Sequence, residues 1–259
     1  MTSQPLQQLN RLQTRWKPLL SRPDWYLSII PEIEELVGEL VNEPTSLRDA
    51  VKARLYDFFE FHLVRGDIAL GPPCSVDGDR KPIDTIVIHH TSNPRGMRPS
   101  RLSAIELIRL YAPYFAKPTY RGDKSRQGQP IYSGHVRNGE QVFWPYHWIV
   151  RHDGRTERLL QDSEIGWHAG NWEVNCRSVA IALDGDYEED RPSFIELQGI
   201  GALIRRHYPK VSLLRVVGHR EVNPKTSCPS NLFLDSANVA GWKSDLLALM
   251  GKGDAATVG

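Results

Sequence analysis

The sequence is short of the features that mark membrane proteins, disulfide-bonded scaffolds and nucleic-acid binders. It holds only three cysteines in 259 residues, an odd and widely spaced set that argues against a disulfide framework and leaves at least one thiol for chemistry. No apolar run is long enough to span a membrane. Lysine and arginine total 32 against 31 acidic residues, so the charge pattern of a nucleic-acid binder is absent. We therefore expect a globular protein with no membrane span and no nucleic-acid partner.

The amino terminus also lacks the marks of a secretory signal. Residues 1–16 read MTSQPLQQLNRLQTRW, with neither a basic start nor an apolar core. We expect a protein that is cytoplasmic as synthesised, and a role at the cell wall would require release by lysis or a non-classical export route.

The first part of the chain is predicted to be a small helical unit. Apolar residues recur at helical spacing from Pro31 to Pro44 and again from Ser46 to Gly66. A stretch rich in Gly, Pro and Asp follows, from Gly71 to Asp84, which is typical of a linker. We predict a helical extension and linker over residues 1–80, a second domain over 81–250 and a disordered tail over 251–259.

The second domain has the order of strands and helices of an α/β protein. Strands are predicted up to His89 and over residues 141–150, 156–160, 179–183 and 213–217, and helices after Asn93, from 193 to 207 and from 236 to 250. Residues 117–140 are polar and rich in glycine, which predicts a long loop of the kind that often shapes a site.

Three residues form a candidate metal site. His219 follows the strand that ends at Val217, and Cys228 lies nine positions further on, across a loop. His89 ends another predicted strand in the same way. A catalytic zinc takes three protein ligands at roughly 2.0 to 2.3 Å and keeps one open position. A histidine after a strand is also common as a hydrogen-bonded surface residue, and this spacing lacks the tight repeats of a zinc finger.

The order of five motifs is more specific than any one of them. Residues 83–250 resemble the zinc-dependent N-acetylmuramoyl-L-alanine amidases of the type-2 family, which includes phage lysozyme-type amidases and peptidoglycan recognition proteins. The motifs are IVIHHTSNP, YHWIVRHDG, GWHAGN, SVAIALDG and VVGHREVNPKTSCP.

The resemblance implies a fold, a cofactor and a reaction. The fold is α/β, with a mixed central β-sheet flanked by helices and, in this chain, an N-terminal helical extension. One zinc ion per chain would be bound by His89, His219 and Cys228. The reaction is hydrolysis of the amide bond between N-acetylmuramic acid and L-alanine, in peptidoglycan or in muropeptides, where zinc activates the water and polarises the carbonyl.

The resemblance also implies catalytic groups. Tyr146 matches a tyrosine that could orient the water or donate to the oxyanion, although a packed strand aromatic is the other interpretation. The lysozyme-type amidases have a lysine two residues before the metal cysteine, where this chain has Thr226, as in the recognition proteins. Lys225 stands one residue earlier, and both remain candidates. The cytosolic recycling amidases use a glutamate where this chain has Ala182.

Substrate contacts are expected mainly from the GWHAGNW motif, whose aromatic faces and polar groups suit sugars and peptides. For Trp167, packing in the core is an equally good interpretation. For His90, a place on the surface outside the groove is an equally good interpretation. The predicted substrate-binding residues are His90, Trp167, His168, Asn171 and Trp172.

Two other functions fit the same pattern. Recognition proteins that lack the metal cysteine bind peptidoglycan without cutting it, and the presence of Cys228 argues for an enzyme. A zinc amidase acting on a different acyl-amino-acid bond is the third possibility, because loop 117–140 could reshape the groove. The sequence leaves open whether the substrate is polymeric or soluble and whether the helical extension has a protein partner.

Overall fold

The computed structural model describes residues 3–120, 123–124, 126–237 and 239–251. Its helices are α1 (Gln4–Trp16), α2 (Trp25–Glu39), α3 (Thr45–Val64), α4 (Pro99–Glu106), α5 (Ala112–Ala116), α6 (Trp172–Arg177), α7 (Phe194–His207), α8 (His219–Val222) and α9 (Trp242–Gly251). Its strands are β1 (Thr85–His90), β2 (Thr119–Tyr120), β3 (Asp123–Lys124), β4 (His135–Arg137), β5 (Glu140–Val142), β6 (Trp148–Val150), β7 (Thr156–Arg158), β8 (Ser178–Leu183) and β9 (Val216–Gly218). From residue 252 onward, the predicted disordered tail lies outside the described residues.

The chain forms two compact units. The first comprises Met1–Ser75 and Arg98–Phe143, and the second comprises Val76–Met97 and Trp144–Gly259. The domain boundaries at residues 80 and 250 stay a prediction. None of the helices within the described ranges has both the length and the apolar character that crossing a bilayer would require.

The first unit contains the predicted helical extension. Helices α1 to α3 bury an aromatic cluster in which the ring of Phe59 lies 6.0 Å from that of Trp25 and 6.1 Å from that of Trp16. The buried carboxylate of Glu60 accepts hydrogen bonds from Arg98 and Ser100, each at 2.6 Å, which ties α3 to the start of α4. A charge this well paired can be buried without a large free-energy penalty.

The second unit is built on a five-stranded sheet in the order β7-β6-β8-β1-β9. Strands β6, β8, β1 and β9 run parallel, and β7 pairs antiparallel with β6 at one edge. The sheet is therefore mixed, and the predicted fold class is confirmed. Strand β8 reads SVAIAL and β1 reads TIVIHH, and both are buried along their whole length, as expected for central parallel strands.

The two faces of β1 meet different surroundings. Ile86 and Ile88 pack into a core with residues of α7 and α9, whereas Val87 packs with Ala169 and Val174 on the opposite face. Because successive side chains of a strand point to opposite faces, His89 shares the face of Val87 and His90 shares the face of Ile88. This alternation determines which of the two neighbouring histidines can join the candidate metal site.

Two predicted element starts in the second unit were wrong. The strand predicted from Leu213 begins at Val216, because Leu213–Arg215 form a 3-10 turn in which the Ser212 hydroxyl accepts a hydrogen bond from the Leu214 amide at 3.3 Å. The helix predicted from Ser236 begins at Trp242. The Asp235 carboxylate accepts a hydrogen bond from the Gly241 amide at 2.7 Å, which holds the preceding residues in a loop.

The strand predicted over residues 141–150 was also wrong, because it is interrupted. The Phe143 amide donates to the Ser103 hydroxyl at 3.0 Å instead of to a strand, and Pro145 has no amide hydrogen to donate. Strand β5 ends before this break and β6 begins after it.

Two further predictions in the first unit needed correction. The helix predicted from Pro31 begins at Trp25, since the turn before the proline is held by the buried side chains of Trp25, Tyr26 and Ile29. The predicted loop 117–140 contains β4, which pairs antiparallel with β5. Residues 121, 122 and 125 of that loop lie outside the described residues.

Candidate metal centre

Parallel pairing of β1 with β9 brings the two candidate histidines together. Ile88 is in register with Gly218, so His89 and His219, the residues that follow this pair, lie side by side at the carboxyl ends of the strands. Their ring centroids are 4.6 Å apart. Two strands that are far apart in the sequence thus place two imidazoles at one point.

The chain returns to this point through the turn after α8. The Arg220 amide donates to the Cys228 carbonyl at 2.7 Å, and the Cys228 amide donates to the Thr226 hydroxyl at 3.1 Å. The Cys228 Sγ lies 3.7 Å from Nδ1 of His89. One candidate ligand atom from each of His89, His219 and Cys228 lies within 4.8 Å of the other two. Among the described residues, these three side chains form the group that could hold a metal ion.

This set of donors fits a zinc ion. In a tetrahedral zinc site with imidazole and thiolate ligands, neighbouring ligand atoms are about 3.5 Å apart, close to the separation of Sγ and Nδ1. Burial, together with His219 and His168, holds the pKa of His89 well below its usual range. The neutral imidazole that a metal requires is therefore the stable form.

A second histidine lies directly behind the first. Nε2 of His89 is 3.0 Å from Nδ1 of His168, and Nε2 of His168 is 3.1 Å from the Ser178 hydroxyl. Only 5% of the surface of His168 is exposed. Burial is also the largest cause of a strongly lowered pKa at His168, with the charges of His147 and His219 next.

Tyr146 borders the same site. Its ring centroid lies 5.2 Å from that of His89. The backbone before it is closely packed, because a Cβ atom on Gly166 would lie 2.1 Å from the Pro145 carbonyl oxygen. Only glycine at position 166 allows this approach, so the GWH motif sets the position of the segment that carries Tyr146.

The segment that carries the three candidate ligands also matches a known protein family. Residues 79–231, more than half of the chain, match the sequence model of the family described as N-acetylmuramoyl-L-alanine amidase. The chain belongs to this amidase family.

One curated protein that is similar to this chain is the 1,6-anhydro-N-acetylmuramyl-L-alanine amidase AmpD of Haemophilus influenzae. The two are 26% identical over 97 residues, which cover 34% of this chain and 53% of the relative. The chain thus spans about half the length of the curated relative that it matches.

Two solved structures are also similar. The N-acetylmuramoyl-L-alanine amidase LysC from Clostridium intestinale URNW has a TM-score of 0.42 and 24% identity, with 59% of this chain and 79% of that one covered. The Ph2119 endolysin from a bacteriophage of Thermus scotoductus MAT2119 has a TM-score of 0.42 and 22% identity, with coverage of 66% and 87%.

Thr226 and Lys225, the two alternative polar catalytic residues before Cys228, differ in their surroundings. Thr226 is half-buried, and its hydroxyl oxygen already accepts the Cys228 amide hydrogen, so its own hydrogen remains available to donate. Lys225 is exposed, and its amide donates to the Asn223 side chain at 3.2 Å. The side-chain amide nitrogen of Asn223 lies 3.5 Å from Nε2 of His219.

The predicted substrate-binding residues do not form one group. His90 is buried, and its Nδ1 accepts a hydrogen bond from the Tyr187 amide at 2.9 Å, on the other face of β1 from His89. The Asn171 side chain accepts a hydrogen bond from the Val174 amide and caps α6. Trp172 is 42% exposed and its indole donates to Asp79. Its ring lies 6.4 Å from that of Trp167 in an edge-to-face arrangement.

Three supporting residues were not predicted from the sequence. The Asn175 side chain accepts hydrogen bonds from the amides of His168 and Ala169, at 3.3 and 2.8 Å. The largely buried guanidinium of Arg80 donates to the carbonyls of Asn175 and Ser178, at 3.1 and 2.9 Å. Ser178 immediately precedes the strand predicted over residues 179–183, and no local pattern marks it as a partner of His168.

Proposed function

We propose that the protein is a zinc-dependent N-acetylmuramoyl-L-alanine amidase. It would hydrolyse the amide bond between the lactyl group of N-acetylmuramic acid and L-alanine, in peptidoglycan or in muropeptides. The observation that carries the proposal is the close approach of three metal-binding side chains, within 4.8 Å, inside the segment that matches the family.

His89, His219 and Cys228 would hold one zinc ion per chain. When bound, zinc supplies a water of lowered pKa and polarises the scissile carbonyl. The thiolate of Cys228 contributes one negative charge, so the site as a whole stays positive and attracts the carbonyl oxygen and the developing oxyanion. Burial of His89 and Cys228 excludes bulk water from that side and strengthens these interactions.

Tyr146 and Thr226 are the best placed polar partners for the reaction. The tyrosine ring borders His89, and its phenol could donate to the oxyanion of the tetrahedral intermediate. The Thr226 hydroxyl is held beside Cys228 by the amide of that residue. Lys225 is exposed and would reach the site only when substrate orders its side chain, so we favour Thr226.

We propose that the exposed face of Trp172, with Trp167 beside it, contacts the sugar or the stem peptide. An aromatic pair of this kind offers a broad apolar surface and two indole edges. Asn171 would assist through the amide nitrogen of its side chain, since its oxygen caps α6. For His90, a substrate contact has less support, because its ring lies on the Tyr187 side of the strand.

The test is product analysis by mass spectrometry after incubation with purified peptidoglycan and, separately, with soluble muropeptides. We expect stem peptides with a free L-alanine amino group, together with sugar products that retain the lactyl carboxyl group. Cys228→Ser should abolish this release. Cys176→Ser is the matched control, since Cys176 is a buried thiol outside the donor set, and it should leave the products unchanged.

Other outcomes would contradict the proposal. Retention of peptidoglycan by the protein without any released product would identify a binding module. Release from other acyl-amino-acid substrates, with none from muropeptides, would identify an amidase of different specificity. Product from only one of the two muramyl substrates would instead support the proposal and show whether the polymeric or the soluble form is used.

A further inference from the structure

A metal ion bound to Nδ1 of His89 would give the hydrogen bonds behind this residue a defined direction. Nδ1 of His89 faces the Cys228 sulfur at 3.7 Å, so a neutral His89 that binds metal through Nδ1 carries its hydrogen on Nε2. That nitrogen is 3.0 Å from Nδ1 of His168, which must then accept. His168 in turn carries its hydrogen on Nε2 and donates it to the Ser178 hydroxyl at 3.1 Å.

The segment around this chain of hydrogen bonds is held from several sides. The Asn175 side chain accepts the amide hydrogens of His168 and Ala169, and the Ser178 carbonyl accepts from Arg80 at 2.9 Å. His89, His168 and Ser178 are 1%, 5% and 0% exposed. His168 therefore has little surface left to offer a substrate, and both of its ring nitrogens already face protein groups.

We infer that His168, supported by Ser178, is a positioning residue that selects the nitrogen His89 presents to the metal and fixes the orientation of its ring. The inference rests on the proposed zinc site and deepens it. Ligating histidines commonly donate their second ring hydrogen to a carboxylate or a carbonyl. A neutral imidazole accepts the same hydrogen without adding negative charge, so the ion keeps more of its positive charge for polarising the substrate carbonyl.

The test measures metal binding by the protein instead of turnover. Zinc affinity is determined by competition with a chelator, and the visible spectrum of the cobalt-substituted protein reports the coordination geometry. His168→Leu should weaken zinc binding by about 10- to 100-fold and change the cobalt spectrum. His168→Asn should restore most of the affinity, because its side-chain oxygen can accept near the position of Nδ1. Ser178→Ala should have a smaller effect in the same direction.

His147→Gln is the matched control. His147 is also a buried histidine with both ring nitrogens hydrogen bonded, to the Ala180 amide and the Glu164 carbonyl, but its partners are not metal ligands. This variant should lose thermal stability without a change in the cobalt spectrum. If His168→Leu fails to fold, Ser178→Ala still tests the inference, since loss of a purely structural contact would change the melting temperature and leave the zinc affinity and the cobalt spectrum as they are.

The possible failures are distinguishable. Wild-type zinc affinity and cobalt spectrum in His168→Leu, with a raised KM for the muropeptide, would overturn the positioning role and make His168 a substrate contact, while the zinc site stands. Metal binding by the wild type that does not depend on His89 and Cys228 would overturn the zinc site itself, and the positioning role with it.

Discussion

Tyr146 and His147 are neighbours in the sequence with different surroundings. The tyrosine ring borders His89 at 5.2 Å. The histidine ring is buried, where Nε2 lies 2.9 Å from the Glu164 carbonyl and Nδ1 accepts the Ala180 amide hydrogen at 3.1 Å. These contacts favour a structural role for His147, and the catalytic role of Tyr146 stays a prediction.

Replacing Tyr146 with phenylalanine tests that role. If the phenol donates to the transition state, turnover of a muropeptide should fall by roughly a hundredfold, the usual effect of one lost oxyanion donor. The aromatic ring remains, so zinc content and melting temperature should stay close to those of the wild type. All three quantities are measured on one preparation, and normal turnover would leave Thr226 or Lys225 as the polar partner.

The stability of the protein should depend on pH because the buried His147 stays neutral in the folded state at pH values where it is protonated in the unfolded state. Burial, followed by the charge of Arg80, lowers its pKa from 6.5 to about 3. Below pH 6.5 the unfolded chain binds this proton and the folded chain does not, so the free energy of unfolding falls as the pH falls toward about 3. Above pH 6.5 both states are neutral and the histidine adds no pH dependence.

His147→Gln should therefore flatten the pH dependence of stability. Glutamine keeps an amide donor for Glu164 but has no titrating group, so the slope should decrease by up to about 1.4 kcal/mol per pH unit between roughly pH 6 and pH 4. The measurement is denaturant unfolding of the metal-free protein over that range. Carboxylates titrate in both proteins and cancel in the difference. Equal slopes would show that His147 is protonated in the folded state.

At the scale of elements, the junction of β9 and α8 positions His219 and the chain around Cys228 at the candidate metal centre. Gly218 pairs with Ile88 on β1, and its amide donates to the Glu221 carboxylate at 2.7 Å. A Cβ atom at this position would lie 2.6 Å from the Phe233 ring and 2.8 Å from Pro229. The glycine thus allows the chain that follows Cys228 to pack against the strand.

Gly218→Ala should lower both the stability of the second unit and its affinity for zinc. The Phe233 ring is fully buried and packs 4.6 Å from Trp242, so it cannot move aside easily. We expect a loss of about 1 to 3 kcal/mol in the free energy of unfolding, as is usual for overpacking, with lower zinc affinity. Gly78→Ala is the control, because nothing lies within 4 Å of a Cβ atom there. Wild-type stability and affinity in Gly218→Ala would contradict this account.

At the scale of the whole molecule, a metal ion would connect distant parts of the second unit. The ligand residues His89 and Cys228 are 139 positions apart, and an unfolded chain does not hold them together. Metal binding is therefore coupled to the folded state. Ligand binding to the folded state stabilises it by an amount that grows with free metal, about 2.7 kcal/mol at a hundred times the Kd.

The melting temperature should accordingly rise with free zinc and fall when a chelator removes it. Elemental analysis of the purified protein should give about one zinc per chain, since the three side chains leave one position of a tetrahedral site open. Cys228→Ser should reduce both the zinc content and the zinc-dependent rise in melting temperature, because a hydroxyl is a poorer zinc ligand than a thiolate. A zinc dependence that is unchanged in this variant would remove Cys228 from the ligand set.

The sequence by itself determined the elements with strong local patterns and the residue types of the candidate site. The apolar run before His89 predicted β1, and the run before His219 predicted β9 with a start three residues too early. The helix predicted over residues 193–207 is α7. These predictions succeeded because strand and helix preference, and the polar groups that end each element, are local properties of the chain.

Only the tertiary structure decided which of these residues meet. The register of β1 with β9 places His89 beside His219, and the alternation of β1 sends His90 to the other face. The hydrogen bond between His89 and His168 joins residues 79 positions apart in the sequence, and the contact of His168 with Ser178 joins a loop to a strand. No local pattern records such contacts, because strand register and the packing of α6 against the sheet are set by the burial of the whole unit.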